Sequence, residues 1–272
     1  TTSGAAPPTN GWRVAAATLL EAEIEVSHRE QPSVPGFSVL GTVVPGPGNP
    51  RINLNNQPWS LPGVFDATTA SLRWRQRLDE QWSFVAHAAT QQLKTDDNTA
   101  FPYGCSAEGR YDRYCSDGTY DMYDFRSDNE RRRSNVIDLS LHGSLHTAGL
   151  EHALTAGVQY HDVRNRFQDL AFNYAGTGNV QGTLIVPPAP ALTGTNTDRD
   201  ARSSEAYVRD AITFDERNTL WLGLRYTHQD VDTVRTDGSA PLAYSQSYAA
   251  PWLAFSHKLA GGTLLYASWG TG

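Results

Sequence analysis

Long apolar runs are missing from this chain. No stretch of 18 apolar residues occurs among its 272 residues, which excludes a transmembrane helix. Cysteine is scarce, with only Cys105 and Cys115, and methionine occurs once, as Met122. Two thiols are too few for a disulfide scaffold, and they lack the CxxC pairs of a zinc site. No GxSxG, Walker A or HExxH sequence is present, so the common signatures of enzymes are absent. The eight histidines are scattered and read as ordinary polar residues rather than metal ligands. The glycines of "GTGNVQG" (176–182) have the wrong spacing for a dinucleotide fingerprint. Acids such as Asp96 and Asp97 are sequence neighbours, which sets no useful carboxylate separation. Basic charge is not in excess either: the net charge of −7 argues against a nucleic-acid binder. No charged, apolar and cleavage regions open the chain, and it does not begin with Met, so Thr1 reads as a cut point or a mature end.

Short stripes of alternating polarity take the place of the missing long runs. In "LLEAEIEVSH" (19–28), Leu20, Ala22, Ile24 and Val26 alternate with Glu21, Glu23, Glu25 and Ser27. A period of two predicts a strand with one apolar and one polar face, whereas a helix would spread these residues around its circumference. The pattern returns in Ile137, Leu139, Leu141 and Leu145, in Leu154, Ala156, Val158 and Tyr160, and in Leu220, Leu222, Leu224 and Tyr226. Trp82, Phe84, Ala86 and Ala88 form a weaker stripe. The opposite faces carry Asp, Arg, His and Gln, which do not suit the interior of a soluble barrel.

The connections alternate as well. Strands are predicted near 65–77 and 82–94, 132–146 and 150–166, 202–214 and 219–231, and 244–259 and 263–270. Short turns join each pair, at Leu78 to Gln81, Thr147 to Gly149, Asp215 to Asn218, and Ala260 to Gly262. Long segments separate the pairs: 31–64, 95–130, 167–201 and 232–243. Short turns at one end and long loops at the other are the plan of a transmembrane β-barrel. Tyr160, Tyr207, Tyr226 and Trp252 are then candidates for the aromatic girdles. About nine strands are counted, the last ending near Gly272 in mid-pattern, and an odd, unclosed set predicts a piece of a larger barrel. The alternatives are a secreted β-rich carbohydrate-binding protein or enzyme, and an outer-membrane porin or adhesin.

The segment "FPYGCSAEGRYDRYCSDGTYDMYDFRSDNERRRS" (101–134) holds both cysteines. A local bond between Cys105 and Cys115 fits an oxidising compartment, with two separate thiols as the alternative. From Thr95 to Glu130 nine acids face three bases, a net of −6. Tyr103, Tyr111, Tyr114, Tyr120 and Tyr123, with Arg110 and Arg113, are the candidate ligand contacts: tyrosine covers an organic ligand and arginine pairs with anionic oxygens. The same side chains would otherwise pack the loop on itself, and its acidity opposes a general funnel for anions. Arg131, Arg132 and Arg133 either meet lipopolysaccharide phosphates or balance Asp128 and Glu130.

Several stretches resemble extracellular-loop text of TonB-dependent siderophore receptors: "SHREQPSVPGFSVLG" (27–41), "NPRINLNNQPWSLP" (49–62), "TDDNTAFPYGC" (95–105) and "YCSDGTYDMYDFRSDNERR" (114–132). "GLRYTHQDVD" (223–232) and "LLYASWGTG" (264–272) resemble strands of the same barrels. The resemblance implies an all-β, antiparallel, 22-stranded transmembrane barrel in the outer membrane of a Gram-negative bacterium, with an internal plug. It implies a ferric siderophore as transported ligand, energy from the TonB complex, outer-membrane lipid and lipopolysaccharide as surroundings, and no enzyme activity or bound cofactor. No plug domain, TonB box or closing aromatic strand is recognised, so residues 1–272 are expected to be a central part of the barrel, unable to transport alone.

Overall fold

The structure is a computed structural model that describes residues 10–46 and 48–271. Thr1 and Gly272, the chain ends considered above, lie outside them. Eleven strands form one antiparallel sheet. They are β1 (Asn10–Ala15), β2 (Thr18–Gln31), β3 (Gly63–Arg77), β4 (Trp82–Pro102), β5 (Thr119–Thr147), β6 (Leu150–Arg166), β7 (Ala171–Asn179), β8 (Thr197–Thr213), β9 (Asn218–Arg235), β10 (Leu242–Lys258) and β11 (Leu264–Gly270). Each strand pairs with the next in the chain, except that β6 pairs with β8 while β7 returns to the upper part of β5.

The predicted strands are all present. The count of nine rises to eleven because β1 and β7 were not anticipated. The segments 95–130 and 167–201 are also not wholly loop. β4 runs on to Pro102, β5 begins at Thr119, and β7 lies within the second segment. Beyond the apolar stripes these strands no longer alternate apolar with polar residues, which hid them from a periodicity reading.

Side chains at the short-turn end explain the tight reversals. Asp79 Oδ1 accepts from the backbone N–H of Gln81 and of Trp82, both at 2.7 Å. Asp215 Oδ1 does the same for Arg217 at 2.7 Å and Asn218 at 2.9 Å. This local capture by Asp stabilises a turn without long-range contacts. Between β5 and β6, Ala148 and Gly149 both take positive φ, 50° and 80°, as a two-residue hairpin turn requires.

The register lines the stripes up into continuous faces. Leu20, Trp74, Ala86, Leu139, Val158, Ala206, Tyr226 and Ala249 stand side by side across successive strands on one face. Glu21, Arg73, His87, Asp138, Gln159, Glu205, Thr227 and Tyr248 do so on the other. The apolar face is open: Ile137, Val158, Leu222 and Leu224 are all exposed. On β6 the stripe runs from Leu150 to Tyr160, about 33 Å along the strand. At a tilt of about 40° that is a height of about 25 Å, the apolar band of a barrel wall. One polar pair interrupts it: His152 and Asp210, 2.8 Å apart near the short turns.

Two of the four expected girdle residues are on the other face. Tyr207 lies over Gly157, where an added Cβ would come within 2.5 Å of the ring, and its hydroxyl donates to Asp138 at 2.9 Å. Trp252 likewise lies over Gly223. Both belong to the polar face, because they share its register with Arg225 and Arg209. Tyr160 and Tyr226 are on the apolar face as expected.

Candidate functional site at the long-loop end

β5 is 29 residues long, far more than the 9–11 residues a bilayer crossing needs. Its upper part, with β4 on one side and β7 on the other, forms a three-stranded extension above the apolar band. A bulge on β5 around Asn129 separates the extension from the wall: Thr95 opposes Glu130, but Asp97 opposes Ser127.

A hydrophobic core packs on one side of this extension. Leu54, Ala100, Tyr114, Tyr120, Met122 and Val186 are buried together, with Leu40, Ile52 and Trp59 at the margin. The loops before β3 and after β7 are tied together through it. Trp59 Nε1 donates to the carbonyl of Val186 at 3.0 Å, and Gln57 Nε2 donates to that of Leu184 at 3.0 Å. Asn55 Oδ1 accepts from the N–H of Ala100 at 2.8 Å, satisfying an edge of β4 that β3 no longer covers.

The candidates from the sequence divide accordingly. Tyr114 and Tyr120 are 3% and 1% exposed, with ring centroids 4.8 Å apart, so they pack the loop on itself. The hydroxyl of Tyr114 donates to the Gly36 carbonyl at 3.1 Å, and burial pushes its pKa up to about 12. Burial, and then the neighbouring Tyr114, push Tyr120 further in the same direction. Tyr103 and Tyr111, by contrast, are 43% and 58% exposed. With Arg110, Arg113 and Thr42 they line an open depression of about 640 Å³.

The two arginines there differ in how firmly they are held. Arg113 holds both carboxylate oxygens of Asp112, at 2.9 and 2.6 Å, and donates to the Gly41 carbonyl at 3.1 Å. Its hydrogen bond keeps the Asp112 carboxyl below the usual range. Arg110 stands 3.5 Å from Glu108, whose carboxylate accepts from Ser116 instead, and the buried Nη1 of Arg110 makes no hydrogen bond among the described residues. Both lie in the loop closed by the Cys105–Cys115 disulfide, whose Cα atoms are 5.1 Å apart. Asp121 anchors this loop by accepting from the N–H and hydroxyl of Ser106 at 2.8 and 3.0 Å. Cys105, Glu108 and Cys115 are the one group of potential metal-ligating side chains among the described residues, and the disulfide takes up both sulfurs.

Tyr123 belongs to a second feature, on the side of the extension away from the core. Phe101 opposes Tyr123, Tyr123 opposes Tyr174, and Phe125 opposes Phe172. With Tyr103 they make a panel of six rings. Tyr123 stacks on Phe172 with centroids 4.7 Å apart, and Tyr103 meets Tyr123 edge-on at 6.2 Å. Burial, followed by Asp121 and the adjacent tyrosines, raises the Tyr123 pKa, so its hydroxyl stays a neutral donor near pH 7. Phe101, Phe125, Phe172 and Tyr174 were not among the sequence candidates. The signal is in "FPY" (101–103), "YDF" (123–125) and "FNY" (172–174), three pairs of aromatic residues each at a spacing of two. Along β4 the bulge adds no residue, so Phe101 and Tyr103 keep the alternation of His87 and Thr95 and continue the polar face.

An antiparallel wall with an open apolar band, short turns below and packed loops above defines a transmembrane β-barrel wall. The family described as TonB dependent receptor-like, beta-barrel matches residues 11–272, and the chain belongs to it. No curated protein matches the chain. Solved structures give the same fold at low identity. BauA, the ferric preacinetobactin receptor from Acinetobacter baumannii, is 17% identical with a TM-score of 0.73, over 95% of this chain and 38% of that one. The siderophore receptor PiuA from A. baumannii is 13% identical with a TM-score of 0.72, over 95% and 40%. The ferric-catecholate import receptor Fiu from E. coli K12 is 12% identical with a TM-score of 0.77, over 96% and 45%. The chain thus spans less than half the length of these proteins. Barrels of the family are outer-membrane proteins of Gram-negative bacteria, which turns the apolar face to lipid and the polar face to the lumen. The family is one of transporters rather than enzymes.

Proposed function

We propose that this chain is a central wall segment, with its extracellular loops, of a receptor that imports ferric siderophores. In this reading the plug and the TonB contact lie in other parts of the full-length protein. The aromatic panel carries the proposal. Six rings on the lumen-side face of the β4–β5–β7 extension offer a broad surface to an organic chelate. Rings bind such a surface at low entropic cost. Tyr103 joins the panel to the depression that also holds Arg110, Tyr111 and Arg113. Since Arg113 is paired with Asp112, ring contacts and tyrosine hydroxyls supply most of the recognition, and Arg110, held only loosely by Glu108, is the one arginine there left to meet an anionic oxygen.

Ferric catecholate, hydroxamate and citrate complexes titrated against the full-length receptor, read by quenching of its fluorescence, test the proposal. One class is expected to bind, and Tyr103→Ala and Phe172→Ala each to weaken it about five-fold, for about 1 kcal/mol per ring contact. Binding by none of them, or affinities that neither variant changes, would overturn it. Uptake that continues after collapse of the inner-membrane energy supply would favour a porin.

A further inference from the structure

The lipid-facing side of the wall ends, toward the long loops, in a row of cations. Lys94 on β4 opposes Arg131 on β5, and Arg131 opposes Arg166 on β6. One step lower, Arg133 opposes Arg164. Like charges facing each other across strands are destabilising unless an anion lies between them. Acids supply part of this. Lys94 meets Asp96 at 2.8 Å, Arg164 meets Asp162 at 3.2 Å, and Arg166 meets Asp200 at 2.8 Å. Arg131 and Arg133 have no carboxylate partner among the described residues. They donate only to the amide oxygens of Asn129 and Asn135, at 3.1 and 3.3 Å, and both remain exposed. Arg132 does not belong to the set: it faces the lumen side, pairs with Glu130 at 2.6 Å and covers the ring of Phe167.

The row sits where the hydrocarbon ends. Ile137 and Tyr160, both exposed, top the apolar band, and Arg133 stands four residues above Ile137 on the same face. That is about 13 Å along the strand and about 10 Å in height. A groove of about 610 Å³ runs along it, lined by Lys94, Arg131, Arg133, Arg164 and Arg166, with Arg132 also at its border and one acid, Asp66, beside His28 at the β2–β3 end. Guanidinium groups take phosphate bidentately, and two uncompensated ones beside three others form a polyvalent anion cradle.

We propose that this cradle binds the phosphorylated headgroup of an outer-leaflet glycolipid, the phosphates between Arg131 and Arg133 and the acyl chains on the apolar rows below. The proposal uses the outward placement of the apolar face and is independent of the transported ligand. It commits to a lipid because exposed apolar side chains begin about 10 Å below the cations on the same face, beyond the Asn135–Asp162 row, and a soluble phosphate has no use for them. The test compares the full-length receptor with its Arg131→Ala/Arg133→Ala and Arg131→Gln/Arg133→Gln variants after exchange into nanodiscs. Discs contain bis-phosphorylated lipid A, dephosphorylated lipid A, or phosphatidylcholine with free inorganic phosphate. Lipid retained per protein, counted by native mass spectrometry, is expected to be highest for wild type with bis-phosphorylated lipid A. It should fall at least five-fold in both variants and with the dephosphorylated lipid. Arg73→Ala, on the lumen face, should retain as much as wild type. Equal retention by the Gln variant, equal retention of dephosphorylated lipid, or displacement by millimolar phosphate would each overturn the assignment. Siderophore titration of the same samples reports the function proposed above separately.

Discussion

Leu141 offers a quantitative test of which face meets lipid. It lies at the middle of the β5 stripe between Ile137 and Leu145, with Phe84 beside it on β4 and Ala156 on β6. No charged side chain shares its row on those strands, so an arginine placed there has no partner to shield it. Leu141→Arg in the full-length receptor should lose about 2–4 kcal/mol of unfolding free energy in bilayers, the range for a cation at the midplane. Ile137→Arg, about 10 Å nearer the surface, should lose about 0–1 kcal/mol. Gln159→Arg points the other way, between Asp138 and Glu205, and should cost under about 0.5 kcal/mol. Leu222, which the sequence recommends equally, is a poorer reporter: Asp210 stands directly opposite it on the same face and would pair with the new cation. Reversible denaturant unfolding in lipid vesicles measures all three variants. Equal losses for Leu141→Arg and Gln159→Arg would refute the two-faced wall, and equal losses for Leu141→Arg and Ile137→Arg would refute the depth assignment.

Two further outcomes follow from the loops. Replacing Cys105 and Cys115 by Ser removes a short-loop constraint of up to about 3 kcal/mol, so tryptic cleavage at Arg110 and Arg113 should speed up by as much as about 100-fold. Barrel assembly should be unchanged, and failure to assemble would place the pair in the wall. The raised pKa of Tyr114 means that the folded loops hold its proton more tightly than an unfolded chain does, so its contribution to their stability should be constant from neutral pH up to about pH 10. Tyr114 should then cost them roughly 1.4 kcal/mol per unit toward pH 12, with Tyr120, raised in the same direction, adding to the loss. Hydrogen exchange of the Met122 and Ala100 amides reads this, and protection unchanged at pH 11 would contradict the burial of Tyr114.

Much of the wall was legible because its determinants are local. Alternation in 19–28, 137–145 and 154–160 sets which side chains share a face, and Asp79 and Asp215 close their turns within three residues. These features need no knowledge of distant partners. Tyr207 and Trp252 depart from the expected girdle because aromatic identity alone does not give a face. Their register beside Arg225 and Arg209 does. The segment from Phe101 to Ser134 is rich in Tyr, Arg and Asp, yet Tyr114, Tyr120 and Met122 are among the most buried of the described residues. Their cover comes from Leu54 and Val186, far away in sequence, so composition could not reveal it.

The sequence by itself determined the strand periods, the tight turns and the disulfide spacing, since each is set by neighbours a few residues apart. Only the tertiary structure decided which rings meet and which cations stand alone. The triplets "FPY", "YDF" and "FNY" become one surface because β7 returns to pair with β5, a long-range choice no local period encodes. Likewise, three consecutive arginines separate into Arg132 toward the lumen and Arg131 with Arg133 toward lipid. Strand alternation divides them, and cross-strand register supplies Lys94, Arg164 and Arg166 to the outer set.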